Sequence, residues 1–252
     1  MKWDYVEQGD CLELMKQIPD RSVDMVLCDL PYGVTQNSKD KTIPFVPLWE
    51  QYERIIKENG AIVLFGQGTF FVDLVSSNRK LFKYDLIWNK TLTSGFLNAK
   101  KMPLRQHEQI AVFYKKPPTY NPQMRTGAKN HSKGKPKTQK NNNYGDFGFV
   151  DTKQDGMKYP TSILEFQKPH PSVAVHRTEK PTALLEYLIK TYTNNGDVVL
   201  DNCMGSGSTC VSAVNTGRHY IGFELDPYYF DIACKRLYDA ARIAIERSYG
   251  NA

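Results

Sequence analysis

Residues 197–211 read Asp-Val-Val-Leu-Asp-Asn-Cys-Met-Gly-Ser-Gly-Ser-Thr-Cys-Val, a short β-rich run closed by an acid, then a glycine loop, then a helical pattern. A unit of this kind folds as strand, loop and helix, with the loop at the carboxyl end of the strand where a nucleotide-like ligand is held. Gly205 and Gly207 allow close backbone approach, and the N–H groups that open the following helix favour a carboxylate or phosphate. The third glycine of the dinucleotide fingerprint is absent, and no Gly-Lys-Ser/Thr ending marks a phosphate-binding P-loop. A second run, Tyr220-Ile221-Gly222-Phe223-Glu224, ends in an acid about where a doubly wound fold places a ribose-binding carboxylate, so Glu224 is the ribose candidate. Leu225 follows it, and Asp226 before Pro227 suits a helix cap.

The apolar run Val23-Asp24-Met25-Val26-Leu27-Cys28 delivers Asp29-Leu30-Pro31-Tyr32-Gly33 at what reads as another strand end. A carboxylate accepts a hydrogen bond from an amine, proline adds no competing N–H, and a tyrosine face stacks on a flat ring. The implied substrate is a planar amine. In isolation the same five residues also read as a strand followed by a Pro-Gly turn with a buried Tyr.

Along the chain, strands are expected near Tyr5-Glu7, Val23-Cys28, Ala61-Phe65, Tyr84-Trp88 and Gln109-Tyr114, with helices at Leu48-Lys57 and Thr69-Ser77. Helices are also expected at Cys11-Gln17, Thr182-Tyr192 and from Pro227 to about Ser248. Strand and helix alternate, which is the pattern of βαβ units and a mostly parallel sheet. Ligands of such sheets bind at the carboxyl ends of the strands flanking the topological switch point. If Leu200 and Cys28 end neighbouring strands, Asp29 and Gly205 face one crevice despite their distance in sequence.

At 252 residues the chain suffices for one sizeable α/β domain and a modest insertion, and no stretch approaches the ~20 apolar residues that span a bilayer. Met1-Lys2-Trp3-Asp4 does not read as a secretory leader, so the expected compartment is the cytoplasm of a bacterial or bacteriophage-infected cell. Cys11, Cys28, Cys203, Cys210 and Cys234 are scattered, with no Cys-x-x-Cys pair, and the five histidines show no metal-ligand spacing; reduced thiols and no metal are expected.

The net charge is +6, and its distribution is uneven. Lys115, Lys116, Arg125, Lys129, Lys133, Lys135, Lys137 and Lys140 occur in one stretch without an acid, a block suited to a phosphate backbone. A solvated basic loop would have the same composition. Gly127, Gly134, Pro136 and Asn141-Asn142-Asn143 argue against regular structure there, while Tyr120, Tyr144, Phe147 and Phe149 flank the block and are candidates to stack on bases or to pack a small core. Three regions result: 1–114 as one core half, 115–170 as a basic insertion, and 171–252 as the ligand-binding half.

Together these motifs resemble the S-adenosylmethionine-dependent DNA amino-methyltransferases, whose signatures are an Asp-Pro-Pro-Tyr-type catalytic loop and a glycine-loop cofactor site. Gly9-Asp10 after the first strand and Lys180-Pro181-Thr182 before the glycine loop match two further family features. The order, catalytic loop before cofactor loop with a basic insertion between, is that of the family's permuted β group. The resemblance implies a circularly permuted Rossmann-like methyltransferase fold, a doubly wound and mostly parallel seven-stranded sheet. Two positions depart from the family pattern: Leu30 stands where proline is usual, and Asn202-Cys203 where Pro-Phe is common.

The resemblance also assigns roles. Asp29, Leu30, Pro31 and Tyr32 form the catalytic loop. Asp10 serves the adenine end of the cofactor, Glu224 the ribose hydroxyls, Asp201, Gly205, Ser206, Gly207, Ser208 and Thr209 the methionine end, and Lys180 and Thr182 its carboxylate, with Cys11, Asn202, Cys203 and Leu225 also in the cofactor site. Trp88-Asn89-Lys90 and His107-Glu108 border the base pocket. Hydrogen bonds from an exocyclic base amine to the Asp29 carboxylate and Leu30 carbonyl would localise the nitrogen lone pair for in-line methyl transfer, with Tyr32 stacked on a base turned out of double-stranded DNA. N6 of adenine is the expected target and N4 of cytosine the alternative. A silent nucleic-acid-binding module, a dinucleotide-dependent oxidoreductase and an RNA substrate are competing readings. A homodimer and a cognate restriction nuclease are the further partners the family implies.

Overall fold

Alternate residues of Val23–Cys28 (β2) go to opposite sides: Val26 and Cys28 pack into one apolar cluster, Met25 and Leu27 into another. That period of two, with both faces buried, marks a central strand covered by helices on each side. The computed structural model describes residues 3–33, 41–128, 140–141, 145–146, 156–168 and 179–250.

The main unit comprises residues 1–121 and 162–252. Its strands are β1 (Tyr5–Gln8), β2, β3 (Ile56–Gly66), β4 (Phe82–Ser94), β5 (Arg105–Phe113), β10 (Ile163–Glu165), β11 (Val198–Asp201) and β12 (His219–Glu224). They form one sheet in the order β1-β12-β11-β2-β3-β5-β4-β10, in which β5 alone runs antiparallel to its neighbours. The expected seven strands are thus eight, because β10 pairs in parallel with β4 through Ile163–Ile87 and Leu164–Trp88. Three residues with a single buried side chain carry too little periodicity for their sequence to reveal a strand.

On one face, α1 (Cys11–Leu14), α2 (Phe45–Ile55) and α3 (Gly68–Ser77) cover a core that includes Met15, Ile18, Leu48, Tyr52, Ile62, Leu64 and Phe223. On the other, α4 (Thr182–Tyr192) buries Leu184, Leu185, Leu188 and Ile189 against Ala61, Val63, Phe65 and Trp88. Each fully buried side chain of this size contributes about 1.5–3 kcal/mol. The helix α5 (Ser208–Asn215) packs on α6 (Pro227–Gly250) through Cys210, Ala233 and Leu237. None of the described helices is long and apolar enough to cross a membrane.

Most expected elements lie within a few residues of those observed. The helix expected over 48–57 ends at Ile55, because Ile56 is extended and pairs with Val23 at the start of β3. The helix expected over 11–17 is α-helical only to Leu14 and tightens to a 3-10 turn over Met15–Gln17. Asp24, an acid inside β2, is retained by two partners: Lys57 Nζ at 2.7 Å and the Val198 N–H at 2.9 Å.

The second unit spans residues 122–161. Here β6 (Arg125–Thr126) pairs antiparallel with β9 (Met157–Lys158), and β7 (Lys140–Asn141) with β8 (Gly145–Asp146). Lys129, Lys133, Lys135, Lys137, Tyr144, Phe147 and Phe149 lie outside the described residues.

Gly207 holds a left-handed conformation, φ 80°, and a Cβ there would lie 2.9 Å from the Ala233 Cβ. Gly207→Ala should therefore lower stability by about 1–2 kcal/mol, a fall in melting temperature of roughly 2–8 °C in a thermal scan.

Candidate active site

Four neighbouring strands each deliver one acid to the same edge of the sheet. Asp10 follows β1, Glu224 ends β12, Asp201 ends β11 and Asp29 follows β2. The pairing of Leu200 with Val26 makes β11 and β2 direct neighbours, so the chain's two halves meet at the switch point as expected. With strands about 4.8 Å apart, the row from β1 to β2 covers roughly 15 Å.

Asp29 is held on both oxygens. Its Oδ1 accepts the Tyr32 hydroxyl at 2.8 Å, and its Oδ2 takes the Lys180 ammonium. Lys180, 8% exposed, also lies 3.2 Å from Glu108 Oε2, and Glu108 Oε1 pairs with Lys90. The result is an alternating row of charges, carboxylate, ammonium, carboxylate, ammonium, drawn from β2, the segment before α4, β5 and β4. Lys180, which the resemblance assigns to a cofactor carboxylate, pairs here with Asp29 and Glu108. Burying a lone ammonium costs several kcal/mol, which explains why two carboxylates converge on it.

Titration follows the same physics. Burial pushes the Lys180 ammonium down, but Asp29 and Glu108 outweigh it and hold the group above its ordinary value. Burial pushes Glu108 up, yet Lys180 and Lys90 together bring its carboxyl below the usual range. Glu108 Oε2 is buried and makes no hydrogen bond beyond its ion-pair contact. Lys168 is lowered by burial and by repulsion from Lys90 and Lys180, against the pull of Glu108. Burial and the charges of Asp29 and Glu108 keep the Tyr32 phenol protonated well beyond its usual range, so it acts as a donor. The Tyr32 ring stacks on Phe70, centroids 4.7 Å apart and 25° between planes.

The glycine loop is shaped by contacts from three directions. Gly205, φ 52°, has nothing within 4 Å of where a Cβ would sit, and its N–H donates to Glu224 Oε2 at 2.8 Å. Glu224 Oε1 accepts from the Asp226 N–H at 2.8 Å, fixing the ribose-candidate carboxylate in place. From α6, Arg236 donates to the Ser206 carbonyl at 2.8 Å, to Ser206 Oγ at 2.8 Å, to Ser208 Oγ at 3.1 Å and to Glu179 at 2.6 Å. Asn202 is buried and accepts the Tyr52 hydroxyl at 2.5 Å. Burial pushes the Asp201 carboxyl up to about 6, although the Thr209 hydroxyl and the Cys203 N–H lower it.

Other expected site residues divide clearly. Asp10 stands at the edge and caps α1 through the Leu12 N–H at 2.8 Å. Cys11 packs with Cys28, and hydrogen bonds to Cys203 and Asn202 lower its thiol against the effect of burial. Thr182 opens α4, Leu225 is exposed, and Leu30 is buried. Trp88 is buried and donates to the Phe166 carbonyl at 2.7 Å, while His107 is exposed. Lys115 and Lys116 follow β5, which runs backwards, so they emerge at the opposite edge from Asp29. There Lys115 donates to the Glu53 carbonyl at 2.6 Å, and Lys116 pairs with Glu58 at 3.5 Å. Arg125 donates to the Tyr159 carbonyl at 3.3 Å within the second unit. Sequence reasoning missed Tyr52, Phe70, Glu179 and Arg236; only Arg236 left a signal, a cation beside the apolar Phe230-Ala233-Leu237 stripe of α6.

Lys180→Met should lower stability by about 3–5 kcal/mol at neutral pH, since Asp29 and Glu108 then share one buried region without the ammonium between them. The native Glu108 carboxyl lies below its unfolded value, so its pairing stabilises above the usual carboxylate range and is lost as pH falls. In the variant Glu108 takes up a proton more readily, so the melting-temperature gap to wild type should narrow from about pH 8 to about pH 5.

Residues 23–235 match the family model described as DNA methylase, for N6 and N4 amino-methyltransferases. The DNA adenine methyltransferase YhdJ of Escherichia coli K12 is 26% identical over 94% of this chain and 84% of its own length. Two solved structures share the fold: the M1.HpyAVI–SAM complex (TM-score 0.62, 23% identity, 92% of this chain, 98% of that one) and the cytosine-N4-specific PvuII DNA methyltransferase (TM-score 0.67, 17% identity, 98% and 94%).

Proposed function

The chain belongs to the N6/N4 DNA methylase family, and from that premise we propose that it transfers a methyl group from S-adenosylmethionine to N6 of adenine in DNA. The observation that carries this reading is the ion-paired Asp29 at the end of β2, beside the glycine loop that ends β11. The YhdJ relationship favours adenine over cytosine.

The donor set suits the cofactor. Open space at Gly205 adjoins the carboxylate of Glu224, and the first N–H groups of α5 lack intrahelical acceptors. Asp10 would take the adenine end, Glu224 the ribose hydroxyls, Asp201 the ammonium, and the α5 N-terminus with Thr182 the carboxylate. When bound, S-adenosylmethionine supplies an electrophilic methyl group on a sulfonium centre.

The chain's own residues act on the amine. A target amino group donates to the Asp29 carboxylate and the Leu30 carbonyl, which draws its lone pair out of conjugation and stabilises the positive charge developing on nitrogen. Lys180 and the Tyr32 hydroxyl fix where the Asp29 oxygens point, and each oxygen retains a lone pair for the substrate. Phe70 covers one face of Tyr32, so a stacked base uses the opposite face. Arg125, Lys129, Lys133, Lys135, Lys137 and Lys140 are the proposed contacts to the phosphate backbone.

The purified protein, incubated with methyl-labelled S-adenosylmethionine and unmethylated DNA, should yield labelled N6-methyladenine on nucleoside analysis. Asp29→Ala should lower that yield by about 10²–10³-fold. Labelled N4-methylcytosine would keep the mechanism and change the base; no labelled nucleoside would refute the reading.

Asp201 loses its charge as pH falls through about 6, so affinity for the cationic cofactor should fall over the same range in calorimetry, and Asp201→Asn should flatten the profile. Keeping this carboxylate ionised in the folded protein costs about 3 kcal/mol, a cost that cofactor binding offsets.

A further inference from the structure

We propose that the tip of the β4–β5 hairpin is a wedge that enters duplex DNA beside the target base, an inference that rests on the methyltransferase reading of the Asp29 site. Phe96 is 82% exposed and Leu97 98%, with Met102 also exposed. Adjacent large apolar side chains left in solvent at a protruding tip mark a contact surface. Between Thr91 and Gln106 there is no acid, while Lys100, Lys101 and Arg105 supply positive charge. That pairing of apolar tip and basic flanks fits a base step between two phosphate strands, where apolar side chains insert and unstack neighbours.

The tip is shaped by its backbone. Gly95 is left-handed at φ 87°, and the 3-10 turn Phe96–Asn98 is closed by Asn98 N–H to Gly95 O at 2.9 Å and Ala99 N–H to Phe96 O at 3.0 Å. Lys101 and Met102 N–H groups both donate to Asn98 O, at 2.8 and 3.0 Å. The local turn therefore presents Phe96 and Leu97 without burying them.

Its placement relative to Asp29 follows from the sheet. β4 is antiparallel to β5, which is antiparallel to β3, so β4 points the same way as β2. The hairpin thus projects from the edge that carries Asp29. At its root Lys90 pairs with Glu108, which contacts Lys180, which holds Asp29. A base taken out of the helix leaves a gap in the stack, and the tip is anchored to the site that would receive that base.

The test compares wild type with Phe96→Ala/Leu97→Ala on two duplexes carrying the base that nucleoside labelling identifies as methylated. In one the base is normally paired; in the other it faces an abasic site and is already loosened. The double variant should lose about tenfold or more in rate on the paired duplex and less than about twofold on the loosened one, because only the first requires the tip to hold the gap open. Both side chains are exposed, so melting temperature and cofactor affinity should match wild type. Equal losses on the two duplexes, no loss on either, or a dimer that becomes a monomer in sedimentation would overturn the wedge. An inactive wild type would refute the methyltransferase reading and the wedge with it; an active wild type beside an unselective variant would refute the wedge alone.

Discussion

The ion pair between Asp29 and Lys180 joins residues 151 positions apart and crosses the seam on which the site depends. Asp29 leaves β2, and Lys180 stands before α4, which leads into β11, the strand beside β2. The buried Lys180 ammonium is not tolerable alone in so dry a place. Lys180 therefore requires the other half of the chain to be folded around it, and Glu108 and Lys90 extend the same requirement to β5 and β4. Asp29, the root of the β4–β5 hairpin and the segment leading into α4 are thereby held as one electrostatic unit.

The sheet makes this possible by sending its strands to a common edge. Asp10, Glu224, Asp201 and Asp29 stand along that edge, and only β5 among the eight strands runs the other way. That reversal has two effects. It turns Lys115 and Lys116 away from the site, and it makes β4 and β5 a hairpin whose tip stands on the site's side. The glycine loop is held from behind by Arg236 and Tyr52.

Much of this was legible in the sequence because strand ends are marked by short-range chemistry. An apolar run, an acid and a glycine or proline turn identified the ends of β2, β11 and β12, and buried alternation in β2 follows directly from its residues. What was not legible depends on direction and long-range pairing. Nothing in Gln109–Phe113 says that β5 runs backwards, so the edge at which the basic residues following it emerge is not legible from their sequence. The resemblance points Lys180 toward the cofactor, and only the fold reveals that its nearest charges in space are Asp29 and Glu108. β10 is too short to announce itself. Tyr52 and Phe70 look like any other core aromatics until their ring and hydroxyl partners are known.

The most direct test is a double-mutant cycle on methyl-transfer rate with Asp29→Asn, Lys180→Met and the combined variant. If Lys180 works by holding Asp29, the combined variant will be no slower than Asp29→Asn alone, because the group it positions is already neutral. If the two losses multiply, Lys180 acts on its own, as a direct ligand of the cofactor would, and the ion pair is not what organises the site.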